Sequence, residues 1–159
     1  MARDDSMNLF DLARGQYWVD GLSRPDLEGK TWVVEDIDFS QQDVKPLRSG
    51  KYRKLMAVRN VSSGTLAGKL AVKSYLGGSG VELVGQVDGV CADTSTELLA
   101  GITNEWITTA IPINALFAIV VEGPAKCTTA AAGDTTIPAG AYVIPSTGGK
   151  LVQQDVTVG

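Results

Sequence analysis

The stretch that decides the fold runs from Asn104-Glu105-Trp106-Ile107 to Phe117-Ala118-Ile119-Val120-Val121-Glu122-Gly123-Pro124-Ala125-Lys126-Cys127. It is rich in β-branched and aromatic residues, which are enriched in strands, and a Gly-Pro break interrupts it near its end. Apart from a lone carboxylate at each end and a lone thiol, it lacks the residue types from which acid–base or nucleophilic sites are built. We therefore predict neighbouring strands at 105–111 and 116–123, in a protein that builds surfaces and does not turn over substrate.

The composition is that of an ordinary globular protein. The chain has 159 residues, of which 44% are apolar and 20% are charged, enough for one domain with a further arm. Eighteen acidic residues outnumber fourteen scattered basic ones, for a net charge of −4, which argues against a nucleic-acid partner. No apolar run reaches the roughly 20 residues that cross a bilayer, and the acidic start at 1–6 does not resemble a secretory signal. We expect neither membrane association nor export by that route.

Short strand-like segments separated by turn residues continue outward from this stretch. Their spacing, together with eighteen glycines, is typical of a β-sandwich or barrel. The fold class we predict is all-β, a small β-sandwich or barrel-like domain over 30–159 with an extended N-terminal arm. Besides a loop at 41–50 and one helical turn at 94–101, the pattern predicts strands at 31–37, 51–61, 66–73, 81–89 and 150–158.

Residues 1–29 differ from the rest of the chain. Ser6 is placed to cap a short helix over 6–14, which Gly15 would end. Aromatic residues then occur among charged ones, a mixture typical of a segment that lies across another surface. Trp18 is the best single candidate for an anchor that faces a partner. The alternative is an ordinary helix packed on its own domain.

Residue types for catalysis are scarce. The chain has no histidine, which excludes the Ser-His-Asp and Cys-His devices and every zinc site that contains histidine. Two acidic groups remain, one at Glu35, Asp36 and Asp38 and one at Asp88 and Asp93. Because successive strand residues point to opposite faces, closeness in sequence does not bring these carboxylates together. We expect no enzyme activity, no cofactor and no metal, with calcium at Asp36 and Asp38 as a minor alternative.

The cysteines and tryptophans have ordinary structural explanations. Cys91 and Cys127 lie in separate apolar segments and are expected to be small buried thiols, with a single disulfide as the alternative. Trp32 and Trp106 lie in apolar strand patterns and are expected to pack in a core. Exposed tryptophans would instead favour stacking on sugar rings.

Three segments resemble the head decoration (cement) proteins of tailed bacteriophages. They are Thr31-Trp32-Val33-Val34-Glu35-Asp36-Ile37, Met56-Ala57-Val58-Arg59-Asn60-Val61-Ser62 and Asn114-Ala115-Leu116-Phe117-Ala118-Ile119-Val120-Val121-Glu122-Gly123-Pro124-Ala125. The resemblance covers roughly residues 30–155, includes the segment Ile137-Pro138-Ala139-Gly140, and is strongest in the Leu-Phe-x-x-Val-Glu-Gly-Pro-Ala core. Its motifs are structural, and the first thirty residues are less clearly matched.

The resemblance implies a β-tulip-type domain that trimerises on the outside of an icosahedral head, at three-fold and quasi-three-fold positions. The implied partners are the major capsid protein and further copies of the chain. The protein would be made in the host cytoplasm and would end on the outer surface of the virion head. The family has no catalytic residues to transfer to this sequence.

From these patterns we predict two sets of contact residues. The arm would contact the capsid through Leu9, Phe10, Leu12, Tyr17 and Trp18, and the trimer would be held through Trp106, Ile107, Ile111 and Pro112. Two other functions stay open: a carbohydrate-binding β-sandwich used for surface attachment, and, more remotely, a small hydrolase that uses only carboxylates.

Overall fold

The computed structural model describes residues 8–41, 47–78, 80, 82–92, 97–129 and 143–153. The predicted all-β class is confirmed. One short α-helix precedes eight strands in these residues: α1 (Leu9–Ala13), β1 (Thr31–Ile37), β2 (Leu47–Asn60), β3 (Ala71–Leu76), β4 (Glu82–Val90), β5 (Leu99–Thr103), β6 (Leu116–Glu122), β7 (Val143–Ser146) and β8 (Lys150–Gln153). Single 3₁₀ turns lie at Gly21–Ser23, Pro25–Leu27 and Thr147–Gly149.

Five of the strands close into a barrel. The sheet order is β1-β2-β4-β3-β5-β6, and β2 also pairs with β6, which joins the two ends of the five-strand ring. Every pairing is antiparallel except the short one between β2 and β4. β1 lies outside the ring and pairs with β2 from Leu47 to Met56, whereas β7 and β8 form a separate hairpin.

Strand β6 is buried on both faces and separates two layers of the core. Phe117 and Ile119 belong to a cluster with residues of the other barrel strands, including Val58, Val72 and Val87. The alternate residues of β6 face the opposite way, into a second cluster: Leu116, Ala118 and Val120. A continuous apolar run such as this one is typical of a strand covered on both sides.

The second cluster is completed by the N-terminal segment. Leu12, Ala13 and Leu27 are buried in it, and the backbone of Trp18 exchanges two hydrogen bonds with Leu116, each 2.8 Å long. Residues 8–29 therefore pack as a layer on β2 and β6. Residues 1–7 lie outside the described part of the chain.

The helix ends as the sequence predicts but begins later. Its N-cap is Asn8, whose side chain accepts hydrogen bonds from the backbone of Phe10 and Asp11, and Asp11 completes a capping box. Gly15 follows the last turn with a φ of 93°, as expected of a glycine that ends a helix. The predicted cap Ser6 lies outside the described residues.

Four predicted elements differ in the structure. The loop predicted at 41–50 overlaps β2, because residues 47–50 already belong to that strand. Residues 105–111 form a loop with one bridge, from Ile111 to Leu66, because Ile107 and Ile111 turn inward and fill the barrel core. Leu99–Gly101 begin strand β5, where a helical turn was predicted, while 93–96 lie outside the described residues. The strand predicted at 66–73 begins only at Ala71.

A third, small cluster covers the far side of the barrel. Cys91 and Leu151 are buried there with Ala71, and Cys127 packs against them. Gly149 donates a 2.8 Å backbone hydrogen bond to Cys91, and Leu151 donates a 2.9 Å bond to Thr128. The hairpin of β7 and β8 is held on the barrel through this contact. The last predicted strand is confirmed at Lys150–Gln153, and its remaining residues lie outside the described part.

Candidate interaction site

Where the N-terminal segment meets the barrel, Arg48 joins two carboxylates. Its guanidinium donates to both oxygens of Asp36 (3.2 and 2.7 Å) and to both oxygens of Glu105 (2.8 and 2.6 Å). Both carboxylates are buried. Charge-assisted, bidentate bonds of this kind are among the strongest hydrogen bonds in proteins, so β1, β2 and the loop after Thr103 are tied together at one point.

Arg53 is the second cation of this cluster. Its side chain is only 2% exposed, and its Nη1 lies 3.7 Å from Oε1 of Glu105. Burial lowers the pKa of Arg53, and the charges of Glu105 and Asp36 oppose that effect. Its Nε atom finds no hydrogen-bond partner among the described residues. Two arginines and two carboxylates balance in charge, which is the condition under which buried ions are tolerated.

The cluster extends to the N-terminal helix through Asn104. The side-chain amide of this residue donates to the carbonyls of Leu12 (3.1 Å) and Ala13 (2.8 Å), two of the carbonyl groups at the end of α1. Its Oδ1 atom lies 3.4 Å from Nη2 of Arg53. Helix ends leave carbonyls without partners inside the helix, and Asn104 satisfies two of them. The polar network therefore fixes the position of α1 on the barrel.

Aromatic rings lie over this polar network. Phe10 meets Phe39 edge-to-face with ring centroids 5.9 Å apart, and Phe39 meets Trp106 in the same way at 5.7 Å. Arg48 lies 5.6 Å from the centroid of Trp106 on the other side. The outermost ring, Phe10, is 48% exposed. An exposed aromatic ring on a rigid base is a common feature of protein interaction sites.

A shallow depression of about 440 Å³ adjoins Glu105. Its walls come from two loops: Ala67, Gly68, Lys69, Glu105, Ile107, Thr108, Thr109 and Ala110. Its one carboxylate, Glu105, is already engaged by Arg48. Among the described residues, no three side chains of the kinds that hold metal ions come together. The depression therefore presents hydroxyl and methyl groups and one lysine, without a pair of groups for acid–base chemistry.

The predicted arm contacts occupy different environments. Leu12 is buried in the second core cluster, so in this conformation it is not available to a capsid subunit. Leu9 and Trp18 are half-buried against the same cluster, and Tyr17 packs against the barrel core. Trp18 also donates from Nε1 to Ser23 at 3.3 Å. Of the five predicted residues only Phe10 is exposed.

The predicted trimer contacts are mostly turned inward as well. Ile107 and Ile111 are buried in the barrel core and cannot contact another copy without unfolding of the loop. Trp106 is half-buried beneath Phe39, and Pro112 is half-buried too. The apolar pattern that suggested an exposed strand edge thus closes the barrel, and the trimer contact itself stays a prediction.

Sequence reasoning missed three exposed apolar side chains. Val19 and Leu22 of the N-terminal segment and Ile113 are exposed, and Gly21 donates a 2.9 Å hydrogen bond to the carbonyl of Asn114. These side chains thus lie on two neighbouring backbone segments.

The three tryptophans are all half-buried. The indole nitrogens of Trp32 and Trp106 are buried and find no hydrogen-bond partner among the described residues. The prediction that Trp32 packs in a core agrees with its position against the second cluster. A guanidinium lies near the ring of two of them, Arg24 at 5.7 Å from the centroid of Trp18 and Arg48 at 5.6 Å from that of Trp106.

Both cysteines carry free thiols. Burial, with a further effect from the charge of Glu97, raises the pKa of the Cys91 thiol to about 11 despite the opposing charge of Lys73. Burial also raises the pKa of Cys127. Both thiols are therefore protonated at neutral pH, and a protonated thiol is a poor nucleophile.

Acid should weaken the ion cluster through Asp36. Burial by itself raises the pKa of this carboxyl, but hydrogen bonds from Arg48 and Ser49 and the charges of Arg48 and Arg53 outweigh it, so the pKa lies below its ordinary value. A carboxyl whose pKa is lower in the folded than in the unfolded protein stabilises the fold at pH values above its unfolded pKa. This stabilisation is lost as the pH falls through its folded pKa. In urea unfolding, Asp36→Asn should be less stable than the wild type at pH 6, and the difference should shrink below pH 4. A constant difference down to pH 2 would contradict this assignment.

No protein-family model, curated protein or solved structure matched this chain. Among the described residues, no helix is long and apolar enough to cross a membrane.

Proposed function

We propose that this chain is a non-enzymatic capsid decoration protein. It binds the exterior of a tailed-phage head as a trimer, at three-fold and quasi-three-fold sites, and it bridges subunits of the major capsid protein. The sequence resemblance supports this proposal. Its three segments fall in or beside β1, β2 and β6; β2 and β6 supply buried residues to both main core clusters, and β1 packs against the second. The resemblance therefore lies in strands that form the fold, and it does not by itself identify the contact surface.

The observation that carries the proposal is the outward face of the N-terminal segment. Phe10, Val19 and Leu22 are exposed on a segment whose inner side is buried against β2 and β6. Ile113 adds a fourth exposed apolar side chain beside it. A packed segment needs no ordering when it binds, so contacts through this outer face lose little conformational entropy.

The expected strength of such contacts suits a decoration protein. Removing one valine or leucine side chain from water contributes about 1.5 to 3 kcal/mol. A few such contacts in each copy give weak binding, and three linked copies multiply it by avidity. Because the bound protein contacts only assembled subunits, it stabilises the shell by mass action on the assembled form.

The charged groups also agree with a structural role. The acids and bases that the structure groups together neutralise each other: Asp36 and Glu105 with Arg48 and Arg53, Glu28 with Arg59, and Glu97 with Lys73. A net charge of −4 suits a position on the outer surface of the virion head, away from packaged DNA. The proposal therefore includes no nucleic acid and no membrane as partner.

A matched pair of valine substitutions tests the contact face. Val19 is 64% exposed on the N-terminal segment, and Val33 is 60% exposed on β1. Val19→Glu should weaken binding to undecorated heads at least ten-fold, because it places a charge in an apolar contact, while Val33→Glu should bind like the wild type. Binding is measured by co-sedimentation with purified heads of the phage whose genome encodes the chain.

Each result has a definite meaning. Equal binding by the two variants removes Val19 and its segment from the contact. No binding of the wild-type protein to these heads at any concentration overturns the proposed function itself. Circular dichroism of both variants serves to establish that either loss arises from the surface and not from unfolding.

A further inference from the structure

The shallow depression of about 440 Å³ lies between two loops that are joined at both ends. At one end Leu66 and Ile111 exchange two backbone hydrogen bonds, of 3.0 and 2.8 Å. At the other end Gly68 lies so close to the opposite loop that an added methyl group would come within 2.5 Å of the carbonyl oxygen of Ile107. The depression is therefore formed before anything binds, and the chain loses little conformational entropy in using it.

Lys69 is held in one wall of the depression in an unusual backbone conformation. Its φ is 66°, in the left-handed region that few residues other than glycine, asparagine and aspartate adopt. Lys69 donates a 3.1 Å backbone hydrogen bond to Thr103 and accepts a 2.8 Å bond from Thr128. The buried hydroxyl of Thr103 also accepts from the backbone of Leu70 and donates to the carbonyl of Ala67. Strain that a fold holds in place is a reason to look for a function of the side chain.

The ammonium group of Lys69 is the uncompensated charge of the depression. Of the two charged residues that line it, Glu105 is buried and bonded to Arg48, whereas Lys69 is exposed and makes no ion pair with the described residues. On the facing loop, Thr108 and Thr109 add two exposed hydroxyl groups. An ammonium group opposite hydroxyl donors matches a carboxylate, whose two oxygens accept several hydrogen bonds.

The depression lies beside the proposed contact face. Its second wall belongs to the loop that runs on to Ile113, one of the exposed apolar residues of that face. The N-terminal segment touches this loop before and after the wall, since Gly15 packs against the backbone of Trp106 and Gly21 donates to Asn114. A capsid subunit that covers Ile113 therefore comes within reach of the depression.

We propose that the depression receives an acidic side chain of the major capsid protein, whose carboxylate pairs with Lys69. This inference rests on the proposed function, and it adds one charged contact beside the apolar ones. Charged pairs of this kind orient two proteins and speed their association more than they raise affinity. The chain carries a net charge of −4, so an unpaired positive group at this position also offsets the repulsion from an acidic partner surface.

Zero-length cross-linking tests the pair directly. A water-soluble carbodiimide activates a carboxylate, which then forms an amide bond with an amine in contact with it, while the carbodiimide leaves as a urea. Heads decorated with the wild-type protein are treated in this way, digested and analysed by mass spectrometry. We expect a peptide that joins Lys69 to an aspartate or glutamate of the capsid protein. Lys51, exposed on β2 outside both loops, is the internal control and should remain unlinked.

Three variants give a second measurement, by co-sedimentation with the same heads. Lys69→Asn removes the charge and suits the left-handed backbone, so it should bind about 3- to 10-fold more weakly and unfold at the same urea concentration as the wild type or a higher one. Lys69→Arg keeps the charge and should bind within about two-fold of the wild type. Lys51→Asn changes the net charge by the same amount as Lys69→Asn and should also bind like the wild type.

The outcomes separate this contact from the proposed function. If Lys69→Asn binds like the wild type, or if Lys69 gives no cross-link in decorated heads, the contact is overturned and the proposed function stands. A cross-link from Lys69 to another copy of this chain overturns the capsid protein as the occupant. Weaker binding of Lys69→Asn together with lower stability overturns the contact as well, because the side chain then acts through the fold. A wild type that does not bind these heads overturns both proposals.

Discussion

Replacing Glu105 with glutamine should lower the free energy of unfolding by about 3 to 5 kcal/mol, because it breaks a buried ion pair from one side. Glutamine has nearly the same shape, so the change removes charge without leaving a cavity. Arg53, which is almost fully buried, then keeps its positive charge with only the more distant Asp36 to oppose it. Urea unfolding followed by tryptophan fluorescence measures the effect.

The control is an ion pair at the surface. Asp26 contacts Arg24 at 3.1 Å, but its side chain is largely exposed, so Asp26→Asn should leave the urea midpoint almost unchanged. Adding Arg53→Met to Glu105→Gln should recover much of the lost stability, since it removes the uncompensated cation. A Glu105→Gln protein as stable as Asp26→Asn would mean that the buried cluster does not hold the layers together.

Replacing Gly15 with alanine should be almost as damaging, with a loss of about 2 to 5 kcal/mol. At φ 93° the backbone of residue 15 is in the left-handed region, which costs an alanine about 1 to 2 kcal/mol. In addition, a methyl group at this position would overlap the carbonyl group of Trp106. Forcing an atom into a packed interior costs about 1 to 3 kcal/mol more.

A substitution at Gly50 serves as the control that separates the backbone cost from the packing cost. It also has a positive φ, 69°, but a methyl group there would meet nothing within 4 Å. Gly50→Ala should therefore show only the backbone cost, and the difference between the two variants in urea unfolding measures how tightly the N-terminal segment is packed on the loop at Trp106. Equal losses for both variants would show that this segment is not held there.

The strands with the clearest pattern were predictable. β1 and β6 fall at the predicted positions because both are rich in β-branched and aromatic residues, which are enriched in strands; in β6 no polar residue interrupts the run before Glu122. The run from Leu116 to Val121 also indicates how β6 is packed, because a strand with no polar face must be covered on both sides. That rule alone implies a layer over β6, and the N-terminal segment supplies it.

The loop at 105–111 shows where pattern reasoning failed. Trp106, Ile107 and Ile111 suggested a strand, because short apolar runs do not distinguish a strand from a loop that fills a core. Asn104 and Glu105 bend the chain there, since their side chains bond to α1 and to Arg48 instead of facing solvent. Only knowledge of those distant partners makes the turn predictable.

The sequence by itself determined the all-β class, the positions of the most apolar strands, the end of the helix at Gly15 and the lack of any histidine-based site, because these depend on local propensity and composition. The tertiary structure alone decided which side chains reach a partner. Asp36, Arg48 and Glu105 are 12 and 57 residues apart along the chain, and Lys69 and Thr108 line one depression only because Leu66 pairs with Ile111. Exposure depends on what covers each face, and that follows from long-range packing which no local pattern records.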